Sequence, residues 1–160
     1  AHYLPWFLGS NVDEYCASKG DACPYKNDHW CSAYGNSFYS SFLGTYDITN
    51  QGVIDAQLDI MKSAGLHGLW IDYQLSSWDS GVDRLIEGLE ARGMGFAIMV
   101  DSATRPNILA ETAAKLVAWT QQPHYYRHQG LPIVPVWQTN ETIFTPLPVN
   151  AIYISRFEVH

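Results

Sequence analysis

The sequence predicts an α/β fold in which parallel strands alternate with helices, a partial (β/α)8 barrel. Three observations carry this. Short apolar runs recur with helical patterns between them, and each strand-plus-helix step takes roughly 25 to 35 residues, the spacing of such a barrel. The runs are unbroken rather than alternating, as in parallel strands covered on both faces. Several of them stop on an acid (Asp47, Asp72, Asp101), at the carboxyl end where folds of this class place their chemistry. A full barrel takes about 250 residues. The 160 residues here are enough for a little over half of one. The expectation is therefore a single domain over residues 1–160 that is an incomplete barrel, finished by a missing C-terminal half or by a partner chain, the remaining alternative being a chain that closes as a small open α/β sheet.

The elements follow in order. Residues 2–8 (HYLPWFL) read as a first strand, with Pro5 marking an edge or a strand end. Residues 9–38 form a long loop rich in Asp, Asn, Ser, Gly and Cys, a length that in a compact domain points to a binding or capping role. An apolar run over 42–47 ends on Tyr46-Asp47. Asp47, Thr49 or Asn50 then caps a helix whose stripe is Val53, Ile54, Leu58 and Met61, and Gly65 stops it. Residues 68–72 are a strand ending on Asp72. Ser80 with Asp83 fits a capping pair for the next helix, which buries Val82, Leu85, Ile86 and Leu89. Residues 96–100 (FAIMV) form a strand ending on Asp101. Pro106 opens a helix patterned by Ile108, Leu109, Leu116 and Val117. After the polar aromatic segment 124–130 come a strand over 131–137, a loop, and a last strand over 151–155.

Composition narrows the partners. The formal net charge is -7, with nine Lys plus Arg, so no basic stripe exists to displace counterions from a nucleic-acid backbone. No apolar run reaches the length of a membrane span. Six Trp and ten Tyr against so few cations suit neutral polyols such as carbohydrate, whose C–H faces stack on rings. Cys16, Cys23 and Cys31, clustered in the polar loop, are disulfide candidates and point to an extracellular, secreted chain. A zinc site using His29 or His2 is the competing reading, but the spacings are not those of a zinc knuckle, so no metal and no cofactor is assigned. Asn140 begins a glycosylation sequon, Asn140-Glu141-Thr142.

The chemistry these residues offer is that of paired carboxyls. Asp72 and Asp101 close adjacent strands, and parallel neighbours lie about 4.8 Å apart, so both can face one pocket. Mutual repulsion would then raise one of them, which suits a general acid. The competing reading makes both helix caps or loop acceptors, and makes Asp47 a turn residue. His2, Trp6, Trp30, Tyr46, Tyr73, Trp137 and Glu158 are candidate substrate-binding groups, and Trp70 reads as core.

Short motifs in a fixed order add a resemblance. His2-Tyr3-Leu4-Pro5-Trp6-Phe7, His29-Trp30, Leu43-Gly44-Thr45-Tyr46-Asp47 and the run from Val53 through Ala64-Gly65-Leu66-His67-Gly68 to Asp72 resemble the N-terminal half of the glycoside hydrolase family 71/99-like barrels, which include endo-α-mannosidases and α-1,3-glucanases. The strand ending on Asp101 and the tyrosine-rich lead into residues 131–137 follow in similar order. The resemblance implies a retaining, endo-acting glycosidase on α-linked mannan or glucan. It also implies two catalytic glutamates in a later strand-end motif, outside this chain. The family's strand-three acid is often glutamate; here it is Asp101. The alternative function is a non-catalytic extracellular glycan-binding or structural protein, which leaves enzymatic activity open.

Overall fold

The computed structural model describes residues 2–3, 46–74, 78–101, 108–138 and 150–157. The loop over 9–38, and with it Trp6, Trp30, Cys16, Cys23 and Cys31, lies outside the described residues, as do Asn140 and Glu158. Among the described residues five strands run parallel: β1 (His2–Tyr3), β2 (Gly68–Tyr73), β3 (Gly95–Asp101), β5 (Leu131–Gln138) and β6 (Ile152–Phe157). Their spatial order equals their chain order, and β4 (Arg127–His128) adds a short antiparallel partner to β5. Helices α1 (Gln51–Ser63), α2 (Asp79–Ala91) and α3 (Ile108–Thr120) fill the first three connections. The result is an open, partial barrel-like sheet. Tyr46 and Asp47 are not strand residues: Asp47 starts a turn, and the neighbour of β2 is β1.

Local chemistry sets the helix limits. Asn50 caps α1, its side chain accepting from the backbone N–H of Gly52 and Val53. Asp47 instead accepts from both the N–H and the hydroxyl of Thr49, which fixes the turn. Both α1 and α2 end in the same motif. Leu66 N–H reaches Met61 O and Gly65 N–H reaches Lys62 O; Met94 N–H reaches Leu89 O and Gly93 N–H reaches Glu90 O. Gly65 (φ 82°) and Gly93 (φ 63°) supply the left-handed residue that this ending requires. The start of α2 departs from the expected Ser80/Asp83 pair. Its cap position is Trp78, with no side-chain cap, because Asp83 is taken by α3. Its carboxylate accepts from Lys115 Nζ at 2.5 Å and from Trp119 Nε1 at 2.7 Å.

The three helices lie side by side on one face of the sheet. Arg92 ties α2 to Asp55 and Asp59 of α1, and Asp83 ties α2 to α3. Odd-numbered β2 residues (Leu69, Ile71, Tyr73) and even-numbered residues of β3 and β5 (Phe96, Ile98, Val100, Val134, Val136) meet Ile54, Leu58, Val82, Leu85, Leu89, Leu116 and Trp119 there. In α3 the buried partner of Leu116 is Trp119, whereas the expected Val117 is 37% exposed. Each fully buried aliphatic side chain contributes about 1.5–3 kcal/mol, so burial on this face is a large stabilising contribution among the described residues.

The sheet changes width between β3 and β5. These strands pair only at Val100–Val136 and Asp101–Trp137. Below that point residues 124–126 are wedged between them. Phe96 N–H donates to His124 O, Tyr126 N–H to Phe96 O, and Ile133 N–H to Tyr126 O. The buried Tyr125 hydroxyl accepts from Ile98 N–H at 3.2 Å and donates to Ile133 O at 2.9 Å. Burial raises its ionisation well above the usual tyrosine range. Pro132 and Pro135 both precede Val136, where the β3 ladder begins, so neither has to donate to it. A two-residue turn, Gln129 (φ 50°) and Gly130 (φ 82°), folds β4 back on β5.

Candidate active site

Strand register builds the site. Residues paired across a parallel ladder share a face, and alternate residues share it along each strand. On the face away from the helices, His2 pairs with Trp70 and Trp70 with Ala97; one step on, Asp72 pairs with Met99; at the carboxyl ends, Asp101 pairs with Trp137 and Trp137 with Arg156. His2, Asp72, Asp101 and Trp137, which the sequence singles out at four separated points, therefore share one face. The two acids close its carboxyl end. Their Cα atoms are offset by two residues along neighbouring strands, which corresponds to roughly 8 Å.

Both carboxyls are shielded from water: Asp72 is 3% exposed and Asp101 9%. Burial, and after it the negative charge of Asp101, pushes the Asp72 carboxyl up to about 7, partly offset by a hydrogen bond from the Tyr73 backbone. At neutral pH the pair can thus present one protonated carboxyl beside one negative one. That is the division of labour a two-carboxyl acid–base mechanism needs. Asn50 and Trp78 hold the cap positions of α1 and α2, so Asp72 caps neither of the two helices that flank β2.

The sequence did not single out Gln74. It follows β2 on the same face as Asp72 and would be the next register partner of Asp101. Its amide Nε2 donates to Asp101 Oδ2 at 2.5 Å. A polar side chain two residues past a strand-end acid, across from a second such acid, is the signal that could have found it.

Other expected contacts are placed elsewhere. Tyr73 points to the helix face, 1% exposed, its hydroxyl donating to Asp79 at 2.5 Å and its ring edge-on to Trp119. The odd–even alternation of β2 puts it behind the sheet from Asp72. Tyr46 is drawn to Gln57 of α1, which also accepts from the Tyr3 hydroxyl, so it too belongs with the helices. Trp70, expected in the core, is 41% exposed on the open face, as is Ile154 at 44%. The amino end of that face is closed by the Tyr126 ring, which lies against Gly68 and Gly95 where a side chain would collide with it. Among the described residues no group of three His, Cys, Asp or Glu is placed to hold a metal.

No protein-family model matches the chain, and no curated protein matches it in sequence. Solved structures do match. The chain is similar to the GH99 endo-α-mannosidase from Bacteroides thetaiotaomicron in complex with bis-tris-propane, with a TM-score of 0.64 and 17% identity over 86% of this chain and 41% of that one. A second structure of the endo-α-mannosidase from that organism matches with a TM-score of 0.59 and 16% identity, over 86% of this chain and 44% of that one. At these identities the likeness is one of fold. The chain spans less than half the length of the structures it matches, and its open sheet corresponds to part of a larger chain.

Proposed function

We propose that this chain is the N-terminal part of a family 71/99-like glycoside hydrolase barrel that acts on or binds α-linked mannan or glucan chains. The observation that carries this reading is the Asp72–Asp101 pair. Two shielded carboxyls close adjacent parallel strands on one face, and one of them is raised into the neutral range. In this reading Asp72 is the protonated partner and Asp101 the charged one. Trp137 stands beside Asp101 as a ring on which a sugar face can stack. The family's two glutamates would belong to the remainder of a complete barrel, a C-terminal half or a partner chain. Its face would meet the one on which Trp70 and Ile154 are exposed. An extracellular site of action, with Asn140 glycosylated, fits a glycan substrate.

The test is to incubate the natively produced polypeptide with α-linked mannose and glucose polysaccharides and follow oligosaccharide release by mass. Internal cleavage, lost in Asp101→Asn, supports the enzyme reading. Retention on an α-glycan column without products supports the non-catalytic glycan-binding reading. Neither release nor retention on any α-linked glycan overturns both.

A further inference from the structure

We infer that Gln74 is a ligand-contacting residue whose carboxamide, together with the Asp101 carboxylate, holds two adjacent hydroxyls of one sugar ring. The inference rests on the reading of this face as a glycan site, and it adds a residue and a recognition mode to that site. One row of the ladder carries it. Asp101 pairs with Trp137 on one side. Gln74, one residue beyond the Tyr73–Val100 pair, faces it on the other. Carboxamide, carboxylate and indole therefore belong to three neighbouring strands at one height. With strands about 4.8 Å apart, the row runs roughly 10 Å from Gln74 to Trp137. That is the breadth of one pyranose ring with its hydroxyls.

The row is also the layer that a ligand arriving from the carboxyl ends meets first. One layer below it, Asp72 and Met99 are buried, whereas Gln74 and Trp137 are half-exposed. Gln74 Nε2 donates to Asp101 Oδ2 at 2.5 Å, which sets the amide beside the carboxylate. That bond uses one of the amide's two N–H groups. The second N–H and the carbonyl oxygen make the same half-exposed amide both donor and acceptor, as a sugar hydroxyl is. Neighbouring equatorial hydroxyls on a pyranose lie about as far apart as two hydrogen-bonded atoms, and so do Nε2 and Oδ2. One hydroxyl can thus donate to Asp101 while the next meets the amide, with the apolar face of the ring toward Trp137. A polar group set to bond a hydroxyl discriminates against an analogue that lacks it, because the group is then left without its partner.

The experiment is calorimetric titration of the natively produced protein with the methyl glycosides of α-linked mannose and glucose disaccharides. A set of analogues, each lacking one ring hydroxyl, is titrated beside them. In the wild type, removal of either of two neighbouring hydroxyls on one ring should weaken binding by about ten-fold. Gln74→Met keeps the length and removes the polar groups. It should bind the parent sugar about ten-fold more weakly and bind the analogue lacking one of those two hydroxyls equally well. Gln74→Ala should behave alike and serves if the Met variant does not fold. A folded variant that binds every sugar as the wild type does overturns the inference and leaves the proposed function standing. An equal loss for the parent and all analogues overturns it too, since Gln74 would then act only by holding Asp101. A wild type that binds none of these sugars overturns it as well, and retention on the α-glycan column then decides whether the proposed function falls with it.

Discussion

Asp72→Asn should stabilise the folded chain above neutral pH and do far less in acid. The Asp72 carboxyl has an ordinary value of 3.8 and is raised to about 7 in the fold. Between those values the native state holds a proton that the unfolded chain has released. Stability from this group is therefore fully present below about pH 4, falls as pH rises, and is gone once pH passes 7. The displacement is roughly 3 pH units at about 1.4 kcal/mol each, which gives an upper bound of about 4 kcal/mol. Relaxation around a charged carboxylate brings the working figure to roughly 2–4 kcal/mol. An amide of the same shape carries no titratable proton. Its own burial cost is independent of pH and cancels in the comparison. Urea unfolding of wild type and variant at pH 4, 5.5 and 8 reads the difference. The variant should gain about 2–4 kcal/mol on the wild type between pH 4 and pH 8. An offset that is the same at all three values would refute the reasoning, because Asp72 would then titrate alike in the folded and unfolded chain.

Other perturbations test the frame that holds the pair. Tyr125→Phe removes the hydroxyl that joins Ile98 N–H to Ile133 O across the splayed β3–β5 gap, and denaturant unfolding should show a loss of about 1–3 kcal/mol. Gly68→Ala should cost more than Gly95→Ala. The first new methyl meets the Gly95 carbonyl as well as the Tyr126 hydroxyl, whereas the atoms nearest the second all belong to the Tyr126 ring, which can move. Thermal melts should show Tyr126→Ala restoring Gly95→Ala in part and Gly68→Ala hardly at all. Asp83→Ala takes the acceptor from the buried Trp119 indole, with an expected loss of about 1–3 kcal/mol and a change in tryptophan fluorescence.

Much of the fold was legible because its signals are local. The apolar runs at 68–72 and 96–100, the Gly65 stop and the Val82–Leu85–Ile86–Leu89 stripe each announce one element, and the structure places β2, β3, α1 and α2 there. What stayed hidden depends on partners far apart in sequence. Asp83 looked like a cap but serves Lys115 and Trp119, more than thirty residues on. The Tyr125 wedge cannot be seen in a polar aromatic run, since its purpose is a gap between two other strands. The face of a strand residue is legible only once the register is known. That is why Asp72 and Tyr73, adjacent in sequence, fall on opposite sides of the sheet, and why the exposed Trp70 read as core. Gln74 escaped for the same reason: alone it is an ordinary polar residue, and only the register places it opposite Asp101, to which its amide donates.

The most direct test of the central claim is a crystal structure of the natively produced protein with an α-linked mannose or glucose oligosaccharide bound. The account predicts sugar density at the carboxyl ends of β2, β3 and β5, within hydrogen-bond reach of Asp72 or Asp101 and stacked near Trp137. Ordered sugar bound only on the helix side, or at the amino ends beside Tyr126, would contradict it.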